Sequence, residues 1–300
     1  MKPVELKARL RGVLSFAVTP FKQDFQLELD GLRQNIETMS RSGVHALVCA
    51  GGVAEFYSLN LEEYRQVIKT AVRAAGGRIP VLAGIGHSTQ IACELARFAE
   101  SEGASGLMIN PFYFVEPNLD GVFHHYEALA EASSLGQIIF STGHFTYNPE
   151  LIERLARIDN VVGLKDEVGD VKTFVATVER LGDRMAWING MAEPLTAAYF
   201  ACGATSFTTG MANFAPEIPL SIYRAAEVGD YSTVREIVAA KVSAIAQLRA
   251  RRKGYATAVL KEAMNLMRLP AGPCRLPLTP LLPEDRQALK TILKDLQLIL

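Results

Sequence analysis

Short apolar runs alternate along the chain with longer stretches whose apolar residues recur every three or four positions. The runs at 12–18, 44–50, 79–83, 106–110, 137–140, 161–164, 185–189 and 205–208 are continuous and β-prone rather than alternating. That is the pattern of parallel strands buried on both faces. Each is followed by an amphipathic stretch that predicts a helix, at 30–42, 61–75, 88–102, 119–132, 149–157, 171–181, 193–202 and 216–228. Asn60 is placed to cap the second of these, and Pro149 suits the first turn of the fifth.

Eight strand-then-helix units predict a parallel sheet with helices outside, and eight is the number that closes a barrel. An open doubly wound sheet is the alternative. It loses support because the first strand-to-helix turn has no G-x-G-x-x-G. Beyond Gly229 the pattern changes. Segments 231–252, 255–267 and 283–300 predict three helices without strands, the second separated from the third by Pro-Ala-Gly-Pro at 270–273. The expected architecture is α/β, a (β/α)8 TIM barrel over 1–229 with a C-terminal three-helix extension over 230–300. The last helix carries a one-sided stripe of Leu289, Ile292, Leu293, Leu296 and Ile299, expected to dock on the barrel or on a second subunit.

Composition narrows the function. Hydrophobic residues are 49% of the 300, enough for a sizeable core and against a disordered chain. Lys and Arg number 31 against 32 Asp and Glu, a net charge of −1, which leaves no basic footprint for nucleic acid or an anionic membrane. Cys49, Cys93, Cys202 and Cys274 are far apart, so a disulfide scaffold and a zinc ribbon are not expected and a reducing compartment is. The histidines do not cluster with acids at ligand spacing, so no metal is expected. The N-terminus has no apolar signal core, and the uncharged run 194–216, with two glycines, an asparagine, four threonines and a serine, reads as buried strand and turn rather than a membrane helix. The expected localisation is cytoplasmic.

Reactive groups in a barrel lie at the C-terminal ends of the strands. Val161-Val162-Gly163-Leu164 runs directly into Lys165. An amine at the end of a buried strand is desolvated, its pKa falls, and it becomes a Schiff-base nucleophile. A solvated lysine, or one paired with Asp166, is the plainer reading. After the second strand, Gly51-Gly52-Val53-Ala54 brings backbone N–H groups close to any bound carboxylate, or is an ordinary turn. Tyr113 lies in an aromatic rim after the fourth strand, and Thr208-Thr209-Gly210 ends the eighth.

With these in place the chain resembles the dihydrodipicolinate synthase and N-acetylneuraminate lyase superfamily, nearly end to end. Within it, the resemblance is greatest to the 5-dehydro-4-deoxyglucarate dehydratase subgroup. The motifs are Leu14-Ser15-Phe16-Ala17-Val18-Thr19-Pro20-Phe21, Gly51-Gly52 with Glu55-Phe56-Tyr57-Ser58-Leu59, and Gly163-Leu164-Lys165-Asp166 with Gly169-Asp170. More specific to the subgroup are Arg252-Lys253-Gly254-Tyr255-Ala256 with Lys261, and Ala271-Gly272-Pro273 with Arg275, Pro277 and Leu278. The resemblance implies a lyase with Lys165 as Schiff-base nucleophile on a short 2-keto acid, no metal or dissociable cofactor, and a homo-oligomer, tetramer or dimer. In the dehydratase subgroup, loss of water and carbon dioxide gives 2,5-dioxopentanoate.

Several positions depart from the family pattern. Phe140 stands where the family places a proton-shuttling tyrosine. Gly-Thr-Gly-Glu of the subgroup is Gly52-Val53-Ala54-Glu55 here, and the expected asparagine and arginine after the tyrosine are Ser141 and Thr142. Tyr113, His144 and Tyr147 are the candidates to replace the lost hydroxyl, each equally readable as a packed or solvated loop residue. Glu55 reads as a structural carboxylate bonding loop N–H groups. Arg249, Arg251, Arg252 and Lys253 read as a solvated helix end. Three functions follow: the dehydratase, a class I aldolase using the same lysine, and a catalytically impaired homologue that binds a keto acid.

Overall fold

The computed structural model describes residues 1–112 and 115–300. Eight parallel strands close into a barrel in chain order, β1 pairing with β8. They are β1 (Gly12–Phe16), β2 (Ala46–Cys49), β3 (Val81–Ile85), β4 (Gly106–Ile109), β5 (Gly136–Thr142), β6 (Val161–Glu167), β7 (Ala186–Asn189) and β8 (Ser206–Thr209). The predicted barrel is the fold observed. Its interior is filled by Leu14, Phe16, Ala46, Val48, Leu82, Met108, Ile138, Phe140, Ala186 and Ile188, so it is a packed core rather than a pore.

One helix was not legible in the hydrophobic pattern. Helix α1 (Pro3–Arg9) precedes the first strand and closes the N-terminal end of the barrel. Leu6 and, just after it, Leu10 are fully buried in the barrel-interior cluster. Glycines open the space for it, because a Cβ on Gly106 or Gly136 would lie 2.3 or 2.9 Å from the Leu6 side chain.

The outer helices form where their caps direct. In α3 (Leu61–Ala75) Asn60 accepts from the Glu63 N–H at 2.9 Å and the Glu63 carboxylate accepts from the Asn60 N–H at 3.0 Å. Gly76, at φ 55°, ends that helix in the left-handed region. The ring continues with α2 (Leu29–Arg41), α4 (Thr89–Ser101), α5 (Leu119–Ala132), α6 (Pro149–Leu155), α7 (Val171–Leu181), α8 (Thr196–Ala201) and α9 (Glu217–Glu227).

The extension differs from expectation in two ways. Segment 231–252 is two helices, α10 (Tyr231–Ile237) and α11 (Ser243–Ala250), joined by a π turn at Val238–Val242. The Ser243 hydroxyl donates to the Val238 carbonyl at 3.0 Å and satisfies an acceptor in that wider turn. Helices α12 (Tyr255–Leu266) and α13 (Pro283–Asp295) follow. The stripe on α13 is used within the chain, with Leu289 and Leu293 fully buried against α11 and α12. Among the described residues no helix is long and apolar enough to cross a membrane, and segment 194–216 holds α8 and β8.

Candidate active site

Strand β6 continues past the apolar run, and that extension organises the site. Side chains alternate along a strand, so Lys165 and Glu167 face the barrel mouth while Asp166 faces outward. Lys165 is 2% exposed, in register with Phe140 of β5 and Ile188 of β7. Its Nζ lies 3.2 Å from the centre of the Phe140 ring and 5.2 Å from that of Phe16. The amine donates to the Glu167 carboxylate. Burial lowers the Lys165 pKa, opposed by Glu167 and then Asp166, and the net direction is down. The amine's paired carboxylate is therefore Glu167 rather than Asp166. The Tyr199 hydroxyl donates to Asp166, whose pKa burial raises against that hydrogen bond.

The glycine-rich turn divides. Gly52 and Val53 line the cavity above Lys165. Gly51 is buried under Phe16, where a Cβ would lie 2.7 Å from the ring. Ala54 is also buried, and its carbonyl accepts the Thr19 hydroxyl at 2.7 Å. Gly51 and Ala54 do not line that cavity and pack against the first βα unit. Glu55, at φ 58°, is fully buried. It pairs with Lys261 Nζ at 2.6 Å and accepts from the Arg275 N–H at 2.8 Å. Its structural role is as expected, but its partners come from the distant C-terminal segment rather than from its own turn.

Thr208, Thr209 and Gly210 line the same cavity. The Thr209 hydroxyl donates to Glu193, which is 1% exposed, and accepts from the Met211 N–H at 2.9 Å. Gly210 lets α12 close over β8, since a Cβ there would lie 2.4 Å from Leu260.

Two adjoining cavities make up the mouth. The first, about 290 Å³, holds Lys165, Glu167, Gly190, the β8 residues and three groups from beyond the barrel, Arg249, Ala256 and Thr257. The second, about 630 Å³, shares Gly52, Phe140 and Glu167 with it and is bounded by Tyr57, Asn110, Thr142 and His144. His144 is therefore at the site. Tyr147 is not. It is 2% exposed, and its hydroxyl bonds that of Tyr126 at 3.1 Å. Tyr113 lies outside the described residues.

Two charged residues of the site were not singled out in the sequence. Glu167 follows from extending strand alternation two residues past Lys165. Arg249 was read as part of a solvated basic run, whereas it lines the first cavity. Its neighbours Arg251 and Arg252 pair with Asp285. Among the described residues, no three His, Cys, Asp or Glu side chains come together to hold a metal ion.

With this geometry in view, the likenesses to known proteins are direct. The family model described as the dihydrodipicolinate synthetase family matches residues 9–296. A probable 5-dehydro-4-deoxyglucarate dehydratase of Azotobacter vinelandii is 37% identical over 300 residues, 99% of each chain. Its counterpart in Bradyrhizobium sp. (strain ORS 278) is 35% identical, over 99% of this chain and 96% of that one. The dihydrodipicolinate synthase structure from Oceanobacillus iheyensis superposes with a TM-score of 0.93 at 29% identity, covering 98% of this chain and 99% of that one. The chloride-inhibited dihydrodipicolinate synthase from Acinetobacter baumannii, complexed with pyruvate, gives 0.89 at 30% identity, over 97% of this chain and 100% of that one.

Proposed function

The chain belongs to the dihydrodipicolinate synthetase family and is a lyase, and we propose that it dehydrates and decarboxylates a 5-dehydro-4-deoxyglucarate-like keto acid through a Schiff base on Lys165. The observation that carries this reading is the buried, desolvated Lys165 amine, facing a cavity it shares with a carboxylate. The amine adds to the substrate ketone and loses water to give an iminium. The positive nitrogen then lies over the Phe140 ring, whose π face favours a cation. The iminium draws electrons from the neighbouring C–H bond. Glu167 takes that proton, and the enamine expels the β-hydroxyl, which leaves as water with the proton returned by Glu167. The bond to the carboxylate remote from the ketone then breaks, its electrons passing through the new C=C to the iminium. Carbon dioxide leaves, the resulting enamine takes up a proton on carbon, and hydrolysis of the imine yields 2,5-dioxopentanoate and restores the amine. No dissociable cofactor enters these steps.

Assigning the proton to Glu167 accounts for the phenyl ring at 140. The expected result of Glu167→Gln is a fall in kcat of about 10²–10⁴-fold, with the borohydride-trapped adduct on Lys165 still forming. Loss of the adduct together with kcat would instead place Glu167 in holding the lysine. Phe140→Tyr is expected to change kcat by less than about threefold, because a carboxylate already serves. A rise of about tenfold or more would return the proton relay to position 140. The overall test is mass spectrometry of Lys165 after borohydride treatment with a panel of 2-keto acids. No adduct with any of them would end the Schiff-base reading.

We also propose a reducing, cytoplasmic setting, in keeping with four unpaired thiols. A homo-oligomer, dimer or tetramer, is proposed on family resemblance and is read by light scattering. The division at about residue 230 is proposed as one of chain order, since Arg249, Ala256 and Thr257 of the extension line the cavity of the barrel.

A further inference from the structure

Arg249 reaches the site from α11, outside the barrel. Its Nε donates to the Ala256 carbonyl at 3.2 Å across the turn into α12. That bond fixes the plane of the guanidinium. Among the described residues, its two terminal nitrogens have no hydrogen-bond partner, and the side chain lines the first cavity. Burial lowers its pKa, opposed by Glu193 and then by Glu167, the carboxylate that accepts from Lys165. Thr257, in the first turn of α12, lines the same cavity and is 5% exposed, with no described partner for its hydroxyl. No side chain caps that turn, and the first turn of a helix presents unpaired N–H groups and a partial positive charge. By contrast Val53, the side chain that the glycine-rich turn presents to this cavity, carries no donor.

An open guanidinium fork, a buried hydroxyl and an uncapped helix turn converge on one volume, and that set matches a carboxylate. The proposed substrate has two, and position and charge both decide between them. The first cavity holds Lys165 and Arg249 together, so a carboxylate bonded to the carbon under attack shares a volume with the guanidinium. Glu167, which takes the proton from the opposite neighbour of that carbon, is common to both cavities, so the rest of the substrate continues into the second. The second has no Lys or Arg among its described lining residues. Charge points the same way. The carboxylate beside the ketone is retained in 2,5-dioxopentanoate, and an ion pair holds it equally before and during reaction. The remote one leaves as carbon dioxide, and an ion pair there would stabilise it before reaction.

We propose that Arg249, with Thr257 and the first turn of α12, binds the carboxylate beside the reacting ketone and directs the departing, remote carboxylate into the second cavity. Arg249 thereby selects 2-keto acids as a class and does not read their far end. This rests on the Schiff-base reading above for which carbon is attacked.

The test compares the six-carbon 4-deoxy-5-keto dicarboxylate, its analogue with a hydroxymethyl group for the remote carboxylate, pyruvate, and pyruvamide, in which a neutral amide adjoins the ketone. The readout is the concentration giving half-maximal borohydride trapping. Arg249→Met should raise it for the three acids alike by about 10- to 100-fold, the range of a hydrogen bond to a charged group, and leave it unchanged for pyruvamide. Arg249→Lys should restore part of the loss. An effect on the dicarboxylate alone would place Arg249 at the remote end and overturn the proposal. So would an equal weakening of pyruvamide, which would make Arg249 structural, or no change in any compound. The Schiff-base reading is separated by calorimetry of the hydroxymethyl analogue, whose one carboxylate adjoins the ketone, on Lys165→Met, where no iminium forms. There, adding Arg249→Met should weaken binding by a similar factor. Equal binding with and without Arg249, or none in either protein, would sink the Arg249 assignment whether or not Lys165 is the nucleophile.

Discussion

Lys165→Met is expected to abolish the borohydride-trapped adduct, to lower turnover by at least about 10⁴-fold, and to raise the melting temperature. The first two follow from removing the attacking nitrogen. The third follows from where that nitrogen is held. The folded chain keeps Lys165 at 2% exposure against two aromatic rings, and its pKa is lowered. The unfolded chain hydrates the ammonium and holds its proton up to the ordinary lysine range near 10.5. Between the lowered folded value and that range, the unfolded state binds more protons, so stability rises with pH. At lower pH the group works against folding. A methionine of similar length carries no proton, so it removes both the burden and its pH dependence while filling the same volume. Calorimetric scans of parent and variant across that range should show the gap in melting temperature narrowing as pH rises. A variant less stable than the parent at neutral pH would mean that the Glu167 pair outweighs desolvation. An adduct persisting in the variant would place the nucleophile elsewhere.

The barrel was legible because parallel strands buried on both faces must be written as continuous apolar runs, and each of the eight was. Helix α1 was not, because it commits a single fully buried side chain, Leu6, within seven residues. What fixes it is complementary, namely glycines at the starts of β4 and β5, and a glycine does not announce what will fill the space beside it. The nucleophile was legible for a local reason, as a charge directly after an apolar run. Its carboxylate partner was obscured by ending the strand at Leu164. The observed β6 runs to Glu167, and the twofold period of a strand then puts 165 and 167 together. Arg249 had no such route. Four cations lie within five residues, and which of them turns inward depends on the π turn before α11 and on how α12 closes over Gly210. Both are tertiary facts. The glycine-rich turn shows the same limit. Gly51 and Ala54 look like ligand contacts from their neighbours, but Phe16 and Thr19 of the first βα unit already occupy them.

The other large effect is expected in stability. Lys261→Met should cost about 3–5 kcal/mol, the range for breaking a buried ion pair by removing one partner, read from urea unfolding. Lys261 is 1% exposed and Glu55 fully buried, and they meet at 2.6 Å. Lys261 Nζ also donates to the Pro273 carbonyl at 2.8 Å and lies 4.2 Å from the centre of the Phe21 ring. Without it, Glu55 is a buried carboxylate supported, among the described residues, by the Arg275 N–H at 2.8 Å. The damage is then to the uncompensated charge more than to the lost attraction. The double variant Glu55→Leu with Lys261→Met should therefore be more stable than Lys261→Met alone. Activity should separate the two roles of the pair. Glu55 is two residues past Val53, and its partners tie the turn after β2 to α12 and to the segment after it. A double variant that regains stability but keeps a raised KM would show that the pair positions Gly52 and Val53 at the cavity. A double variant that regains both would reduce the pair to a structural clamp, and one no more stable than Lys261→Met would contradict the buried-charge argument itself.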